Sequence, residues 1–314
     1  MNYSTDNTRI IDKVDLVTPH DVISKYPLTD GISKLVYGTR NEVSQILHGK
    51  DDRLIAVVGP CSIHDPDSAE EYAKLLIDEK KRYEEDILLI MRVYFEKPRT
   101  SIGWKGLIND PDMDNTFDAN KGLFLARSIL HKISKLGLPV GTEFLDPISP
   151  QFVADLVSWG AIGARTAESQ IHRELASGLS CPIGFKNGTT GDLNPAIYGV
   201  KASNHSHVFF SNTKEGMVSI YKTSGNSDTH IILRGGTKPN LYPDDIRETI
   251  NALNEAEAND SIMIDVSHGN SQKVFKRQLE NIGVVSKQIS DGMNEIRGVM
   301  IESHLREGNQ KIGE

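Results

Sequence analysis

Eight short apolar runs, each followed by a polar loop, are the feature of this chain that most restricts its fold. They are rich in Val, Ile and Leu and alternate with segments of helical periodicity, which is typical of βα units in a parallel sheet. The runs are LIAVVGPC, ILLIMRVY, LPVGTEFL, AIGAR, CPIGFK, HIILRGG, SIMIDVSH and GVMIES. No GxGxxG fingerprint follows the first run, and eight units favour a closed barrel over an open doubly wound sheet. We therefore predict an α/β fold of the TIM (β/α)8 type.

Helices are predicted between these strands and before them. Several intervening segments begin with Ser, Asp, Asn or Pro and end at Gly, as capping favours. They include SAEEYAKLLIDEKKRY, NKGLFLARSILHKISKLG, PQFVADLVSWG, SQIHRELASG and DDIRETINALNEAEA. Residues 1–50 are predicted to form an N-terminal arm with a helix from Gly31 to Leu47, and residues 51–314 the barrel. Residues 207–226, HVFFSNTKEGMVSIYKTSGN, interrupt the alternation and are predicted to form an inserted β-hairpin.

Composition and charge exclude several classes of protein. The net charge of -8 argues against general affinity for nucleic acid or an anionic membrane, so a local basic cluster indicates a site for an anion. Two cysteines make no disulfide framework, and the polar start MNYSTDNTRI lacks the apolar stretch of a secretory signal. No apolar run approaches the roughly 20 residues that cross a bilayer. We expect a cytoplasmic protein that binds neither nucleic acid nor membrane.

Charged or metal-ligating residues lie at or near the end of every predicted strand. In chain order they are Cys61, Arg92, Glu143, Arg165, Lys186, Arg234, His268 and Glu302. The C-terminal ends of barrel strands converge on one face, where the active sites of this fold are built. Any single residue could instead belong to a salt bridge within the barrel layers, but a full set at corresponding positions predicts a functional site.

The cations in this set predict an anionic ligand. Four come from the strand ends and three from the loop EKPRTSIGWKG, namely Arg92, Lys97, Arg99, Lys105, Arg165, Lys186 and Arg234. Holding so many like charges together is unfavourable without anions, and arginine suits bidentate binding of phosphate and carboxylate. More than one such group is therefore expected.

Cys61, His268 and Glu302 form the complementary group. Thiolate, imidazole and carboxylate together suit a divalent transition metal such as Mn, Fe, Co or Zn better than Mg. The alternatives are a small buried hydrophobic side chain for Cys61 and a neutral structural histidine for His268. Spacing alone leaves both alternatives open.

Several long motifs resemble one known family. They are GPCSIHDP, MRVYFEKPRTSIGWKGLINDP, GTEFLDPISPQ, WGAIGARTAESQIHRELASGLSCPIGFKNGT, HIILRGG, DVSHGNS and GVMIESHLREGNQ. The chain resembles the class I, aromatic-amino-acid-regulated 3-deoxy-D-arabino-heptulosonate 7-phosphate (DAHP) synthases of the shikimate pathway. The resemblance implies a metal-dependent TIM barrel that condenses phosphoenolpyruvate with erythrose 4-phosphate, as a homodimer or homotetramer.

The resemblance also implies roles for individual residues. Phosphoenolpyruvate would be held by Arg92, Lys105, Ala164, Arg165, Lys186 and Arg234, and erythrose 4-phosphate by Lys97, Pro98, Arg99 and Thr100. Cys61, His268 and Glu302 match metal ligands of the family. The residues expected to act in catalysis are Lys97, Glu143, Lys186 and His268, with Glu143 handling the attacking water and Lys186 as its proton partner. For Glu143 the alternative is that it only balances the nearby arginines.

In the family, a fourth ligand, an Asp, lies beyond the last strand in a segment that leads into the final barrel helix. This sequence ends at GNQKIGE. We therefore expect a truncated chain or fragment without that helix, with weaker metal binding, impaired activity and exposed apolar surface near Val299 and Ile301.

The hairpin and the arm resemble the parts of the family that form subunit contacts and a pocket for Phe, Tyr or Trp. Gln151, Ser180, Phe209 and Ser211 match positions of that pocket, although Phe209 could equally be strand core. Two other functions stay open. One is a different phosphate or metal enzyme on a barrel, such as a related synthase or a class II aldolase, and the other is a regulatory homologue without catalysis.

Overall fold

A computed structural model describes residues 3–99 and 101–308, which contain a closed barrel and a separate hairpin. The strands are β1 Leu54–Gly59, β2 Ile87–Arg92, β3 Val140–Glu143, β4 Trp159–Ile162, β5 Ile183–Lys186, β6 Val208–Asn212, β7 Val218–Lys222, β8 Thr229–Leu233, β9 Ile262–Asp265 and β10 Ile296–Glu302. The barrel is hydrogen-bonded in the order β1-β10-β9-β8-β5-β4-β3-β2, and every pair in it is parallel. The predicted (β/α)8 barrel is confirmed.

Helices surround the barrel and precede it. They are α1 Pro19–Lys25, α2 Asp30–Leu47, α3 Pro66–Arg82, α4 Ala119–Lys135, α5 Pro150–Val153, α6 Gln170–Gly178, α7 Asn194–Ser203, α8 Pro243–Glu255 and α9 Arg277–Ser290, with a short 3-10 helix at Ala154–Leu156. The predicted arm helix corresponds to α2. The helix predicted for PQFVADLVSWG is wrong in its second half, because Trp159 is fully buried and pairs with Gly141 of β3.

The inserted hairpin is confirmed as β6 and β7, which pair antiparallel from Val208 opposite Lys222 to Asn212 opposite Val218. Its two faces differ. Phe209 and Tyr221 stack with ring centroids 6.0 Å apart on one face, whereas Phe210 and Ile220 on the other face are largely exposed. The alternation of strand side chains therefore gives the hairpin one face toward the barrel layer and one toward solvent.

The N-terminal end of the barrel is closed by α2. Its residues Val43, Ile46 and Leu47 belong to the same buried cluster as the side chains inside the barrel. The Ser261 hydroxyl, just before β9, donates to the Leu47 carbonyl, and His48 lies 2.9 Å from Asp228, just before β8. The opposite end, where the strands finish, is the one at which a ligand site can form.

The expectation of exposed apolar surface on the last strand is wrong for Val299, which is 4% exposed, while Ile301 is partly buried. Val299 is covered because β10 pairs with β1 on one side and β9 on the other and packs into the outer core. Residues 303–308, the last described stretch, contain no helix. None of the helices in the described ranges is both long and apolar enough to cross a lipid bilayer.

Candidate active site

The polar residues predicted at the strand ends lie at the C-terminal mouth of the barrel. Arg92, Glu143, Lys186 and Glu302 are the last residues of β2, β3, β5 and β10. The others lie one to three residues beyond a strand, namely Cys61 after β1, Arg165 after β4, Arg234 after β8 and His268 after β9. Because parallel barrel strands all end at one face, residues far apart in sequence become neighbours there.

Arg92 is an almost fully buried cation at the centre of this mouth, 2% exposed. Its Nε donates to the Pro60 carbonyl at 3.0 Å, and its Nη2 lies 3.2 Å from Glu302 Oε1. The guanidinium lies over the Tyr94 ring, 3.8 Å from the centroid. Burial opposes its charge, but Tyr94 and Glu302 outweigh this and raise the pKa of Arg92. This arginine stays charged inside the barrel mouth.

Lys186 is the second buried cation, and it faces two carboxylates. Its Nζ lies 3.7 Å from Glu143 Oε2 and 3.8 Å from Asp265 Oδ2. Burial lowers the pKa of Lys186, while the Glu143 charge acts in the opposite direction. Such an amine can release a proton more readily than an exposed lysine.

Glu143 is buried with one oxygen unsatisfied, since its Oε1 accepts no hydrogen bond within the described ranges. The backbone of Gly163 passes so close that a Cβ added there would lie 2.5 Å from Oε1. A glycine at the end of β4 is what allows this carboxylate to lie beside Lys186. Oε1 is thus a buried acceptor without a protein donor among the described residues, lying against the Gly163 backbone.

Arg234 and Arg165 place two guanidinium groups near each other on the other side of the mouth. The Arg234 main-chain N–H is fixed by Asn187 Oδ1 at 2.7 Å. Burial lowers the pKa of Arg234, and the like charge of Arg165 lowers it further, against the pull of Asp265. Two arginines that oppose each other's charge form a place where an anion is stabilised. Ala164 lies half-buried beside Arg165.

The loop that follows β2 forms the rim above β1. It is closed by a bridge between Glu96 and Gly106, by the Lys97 N–H donating to the Lys105 carbonyl at 2.8 Å, and by Arg99 Nε donating to the Trp104 carbonyl at 2.8 Å. Lys97 Nζ reaches Cys61 Sγ at 3.5 Å. Pro98 is half-buried, Arg99 and Lys105 are exposed, and Thr100 lies outside the described residues.

The three predicted metal ligands are brought to one side of the mouth. His268 Nε2 lies 3.4 Å from Glu302 Oε1. Two ligands of one tetrahedral ion, each about 2.1 Å from it, are separated by roughly that distance. The pKa of the Cys61 thiol is raised, first by desolvation and then by the Glu302 carboxylate, although part of this side chain is exposed. The positive charges of Arg92 and Lys97 act in the opposite direction.

The donor set fits a transition metal in chemistry and in the spacing of one pair. The fit is incomplete as a whole, because no three His, Cys, Asp or Glu side chains within residues 3–99 and 101–308 form a closed set of ligands. Cations stand beside the donors instead, with Lys97 at Cys61 and Arg92 at Glu302. The Lys97 ammonium therefore lies against the sulfur that would bind the metal.

Asp265 is a site residue that was not predicted from the sequence. It is the last residue of β9 and fully buried, with Oδ2 2.8 Å from His268 Nδ1. His268 itself has φ +43°, a left-handed conformation uncommon for a residue with a side chain. The one available signal was a carboxylate inside the apolar run SIMIDVSH.

The predicted effector residues line a separate cavity of about 630 Å³ between α2, the start of α5 and the hairpin. Gln151, Ser180 and Phe209 are in its wall, whereas Ser211 is not and lies instead 3.5 Å from the Pro147 carbonyl. Charged groups of both signs line it, namely Arg40, Asp155, Lys214 and Lys222, beside apolar Leu28, Val36 and Leu175. A zwitterion with an apolar side chain fits such a wall.

Fold and site together define the class of the protein, a (β/α)8-barrel enzyme for substrates that carry phosphate or carboxylate groups. The chain belongs to the DAHP synthetase I family, whose model matches residues 30–314. It is 52% identical over 312 residues to the Phe-sensitive phospho-2-dehydro-3-deoxyheptonate aldolase of Escherichia coli strain K12, covering 99% of this chain and 89% of that protein.

Two further proteins extend this comparison. The Trp-sensitive phospho-2-dehydro-3-deoxyheptonate aldolase of the same strain is 50% identical over 308 residues, covering 98% of this chain and 88% of that protein. A solved structure of phospho-2-dehydro-3-deoxyheptonate aldolase from Francisella tularensis SCHU S4 matches with a TM-score of 0.95 at 51% identity, covering 97% of this chain and 89% of that one. Relatives with different effectors are thus almost equally similar.

Proposed function

We propose that this chain condenses phosphoenolpyruvate with D-erythrose 4-phosphate to give DAHP and inorganic phosphate, the first step of the shikimate pathway, in the cytoplasm. The observation that carries the proposal is the pair of buried cations, Arg92 and Lys186, in the same mouth as Arg165 and Arg234, which follow β4 and β8. Buried positive charge of this kind is retained where it meets anionic groups. Phosphoenolpyruvate brings one phosphate and one carboxylate.

Phosphoenolpyruvate is placed along the floor of the mouth. Its phosphate is assigned to Arg165, Lys186 and Arg234, and its carboxylate to Arg92 and Lys186, with Ala164 and Lys105 in support. Arg165 and Arg234 repel each other, so an anion between them relieves that repulsion. The orientation of the enol follows from holding both of its charged ends.

Erythrose 4-phosphate is placed under the rim loop. Arg99 and Thr100 are assigned to its phosphate, and Lys97 and Pro98 to its carbon chain. The hydrogen bonds from Lys97 to Lys105 and from Arg99 to Trp104 fix the loop in a closed form. Because Lys97 Nζ also reaches Cys61, this rim lies directly over the proposed metal ligands.

Cys61, His268 and Glu302 are the residues that would hold a divalent transition metal, Mn, Fe, Co or Zn. Such an ion would supply a Lewis acid for the aldehyde of the acceptor sugar. Glu302 is suited to this role because the charges of His268 and Arg92 outweigh burial and lower the pKa of its carboxyl. This carboxylate is therefore ionised and able to act as a ligand.

Bond formation and water addition are assigned to the chain's own groups. The methylene carbon of phosphoenolpyruvate bonds to the aldehyde carbon, and the aldehyde oxygen takes up a proton. One water adds at the second carbon of phosphoenolpyruvate, and the bond from that carbon to the phosphate oxygen breaks as inorganic phosphate leaves. Glu143 accepts the proton of that water, and Lys186, 3.7 Å from Glu143 Oε2, exchanges protons with the reacting groups. His268 and Lys97 orient the acceptor.

The cavity beside the hairpin is assigned to an aromatic amino acid that inhibits the enzyme. The charged wall residues Asp155, Lys214 and Arg40 are assigned to its ammonium and carboxylate groups, and Phe209 to its ring. Ser180 and Gln151 lie in the same wall. Ser211 lies outside the cavity wall and is not assigned to the ligand. The arm, residues 1–50, and the exposed face of the hairpin are assigned to subunit contacts in a homodimer or homotetramer.

Phosphate release tests this function. With phosphoenolpyruvate, erythrose 4-phosphate and manganese we expect release that requires both substrates, and its loss in Cys61→Ala. The matched control is Cys181→Ala, since Cys181 is buried in the outer core away from the mouth. Release from phosphoenolpyruvate alone, or unchanged release in Cys61→Ala without metal, would contradict the assignment. A folded chain that binds an aromatic amino acid without turnover would support the regulatory homologue.

A further inference from the structure

Asp265 lies between the two halves of the candidate active site, and no step proposed above uses it. It ends β9, is completely buried, and touches residues assigned to different ligands. His268 belongs to the proposed metal ligands, and Lys186 to the phosphoenolpyruvate residues. Both lie within 4 Å of the same carboxylate oxygen, Oδ2, at 2.8 Å and 3.8 Å.

The two oxygens of Asp265 have different environments. Oδ1 accepts hydrogen bonds from the Ser267 main-chain N–H at 3.0 Å and from the Ser267 hydroxyl at 2.5 Å, which fix the carboxylate in place. Oδ2 accepts no hydrogen bond within the described ranges, so its contacts with His268 and Lys186 are ion pairs that lack hydrogen-bond alignment. A buried carboxylate oxygen in this state attracts both neighbouring nitrogens.

The position of Asp265 has a consequence for each neighbour. A histidine whose Nδ1 proton faces a carboxylate keeps the lone pair of Nε2 for a metal, and Nε2 of His268 points toward Glu302, 3.4 Å away. A buried lysine ammonium needs a fixed negative charge to keep its place. Ser267 anchors the same carboxylate, and its hydroxyl oxygen also lies 2.9 Å from His268 Nδ1, so Ser267 connects Asp265 to the histidine as well.

We propose that Asp265 is a positioning residue that links the metal site to the phosphoenolpyruvate site, because one carboxylate orients His268 for the metal and holds the Lys186 ammonium for phosphoenolpyruvate. This inference rests on the proposed function. A purely structural role of Asp265 would instead change the stability of β9 and leave the affinities for the metal and for phosphoenolpyruvate unchanged.

Asp265→Asn removes the charge at nearly constant volume. The metal is probed with cobalt(II) chloride by its visible absorption, and phosphoenolpyruvate by calorimetry in the presence of chelator. We expect cobalt affinity to fall about 10- to 100-fold, the range found when partners of metal-bound histidines are removed, together with a changed absorption band. We also expect phosphoenolpyruvate to bind at least several-fold more weakly without metal.

The matched control is Asp228→Asn. Asp228 contacts His48 Nε2 at 2.9 Å and accepts from Ser44 at 2.8 Å, an equivalent His and Ser arrangement at the closed end of the barrel. It should leave both affinities unchanged. Ser267→Ala keeps the Asp265 charge but removes a hydroxyl that contacts both Asp265 Oδ1 and His268 Nδ1, and it should weaken both affinities to a smaller degree. Because Ser267 contacts His268 directly, the phosphoenolpyruvate affinity of this variant decides the question if Asp265→Asn does not fold.

The inference would be overturned, and the proposed function left intact, if folded Asp265→Asn bound cobalt and phosphoenolpyruvate as the parent does. If Asp265→Asn is unfolded, parent-like affinities in Ser267→Ala would have the same consequence. Equal losses in Asp228→Asn would overturn it too. A parent protein that binds neither probe would overturn the proposed function, and the inference with it.

Discussion

Glu96 offers a prediction that depends on the fold rather than on any ligand. Its carboxyl is buried next to the rim loop, where Ser149 Oγ donates to Oε2 at 3.3 Å. Burial, and next the charge of Asp146, raise its pKa from the ordinary 4.5 to about 7. The folded protein therefore keeps a proton on Glu96 at pH values where the unfolded chain has released it.

This difference makes stability fall as pH rises. Below about pH 4.5 both states are protonated and Glu96 adds no pH dependence, whereas between the two pKa values the unfolded state binds fewer protons than the folded state. One pKa unit corresponds to about 1.4 kcal/mol, so integration from pH 5 to pH 8 gives a loss of about 2.5 kcal/mol in the free energy of unfolding. Above pH 7 the loss levels off.

Glu96→Gln keeps the size of the side chain and cannot ionise. Urea unfolding of the parent and the variant should therefore give free energies that diverge by about 2 to 3 kcal/mol between pH 5 and pH 8, with the variant gaining relative to the parent. Glu85→Gln, at an exposed position, is the control and should follow the parent. Parallel curves for the parent and Glu96→Gln would refute a buried, protonated Glu96.

Two further predictions concern the active site and the effector cavity. Gly163→Ala places a methyl group 2.5 Å from Glu143 Oε1 and should displace that carboxylate from Lys186. We therefore expect kcat to fall at least tenfold while the KM for erythrose 4-phosphate changes little. An unchanged kcat would contradict the role of Glu143. Phe209→Ala should weaken inhibition by whichever of Phe, Tyr and Trp inhibits, by about tenfold or 1.4 kcal/mol. Phe210→Ala on the exposed face is its control, and equal effects of both would contradict the cavity assignment.

The strands and their terminal residues were predictable because a parallel barrel imposes one simple rule. Each strand is buried on both faces and reads as an apolar run, so a charged residue at its end stands out, as Arg92 and Lys186 do. The rule predicts which face these residues share. It predicts neither which cation pairs with which carboxylate nor that Lys97 lies at Cys61.

Other features depend on contacts that a linear pattern does not contain. The segment PQFVADLVSWG has helical spacing throughout, yet Trp159 joins β4 because the barrel interior has room for its ring beside His230. Asp265 escaped prediction because it lies within an apolar run, and only the structure shows that Lys186, from β5, faces it. Ser211 lies on the same face of β6 as Phe209, but it is buried beside the Pro147 carbonyl and outside the cavity wall.

The most direct test of this account is an anomalous difference map at the manganese edge, from crystals grown with manganese and phosphoenolpyruvate. We expect one strong peak within coordination distance of Cys61 Sγ, His268 Nε2 and Glu302 Oε1, with the phosphate of the substrate between Arg165 and Arg234. A peak elsewhere, or phosphoenolpyruvate bound outside the mouth formed by the strand ends, would contradict it.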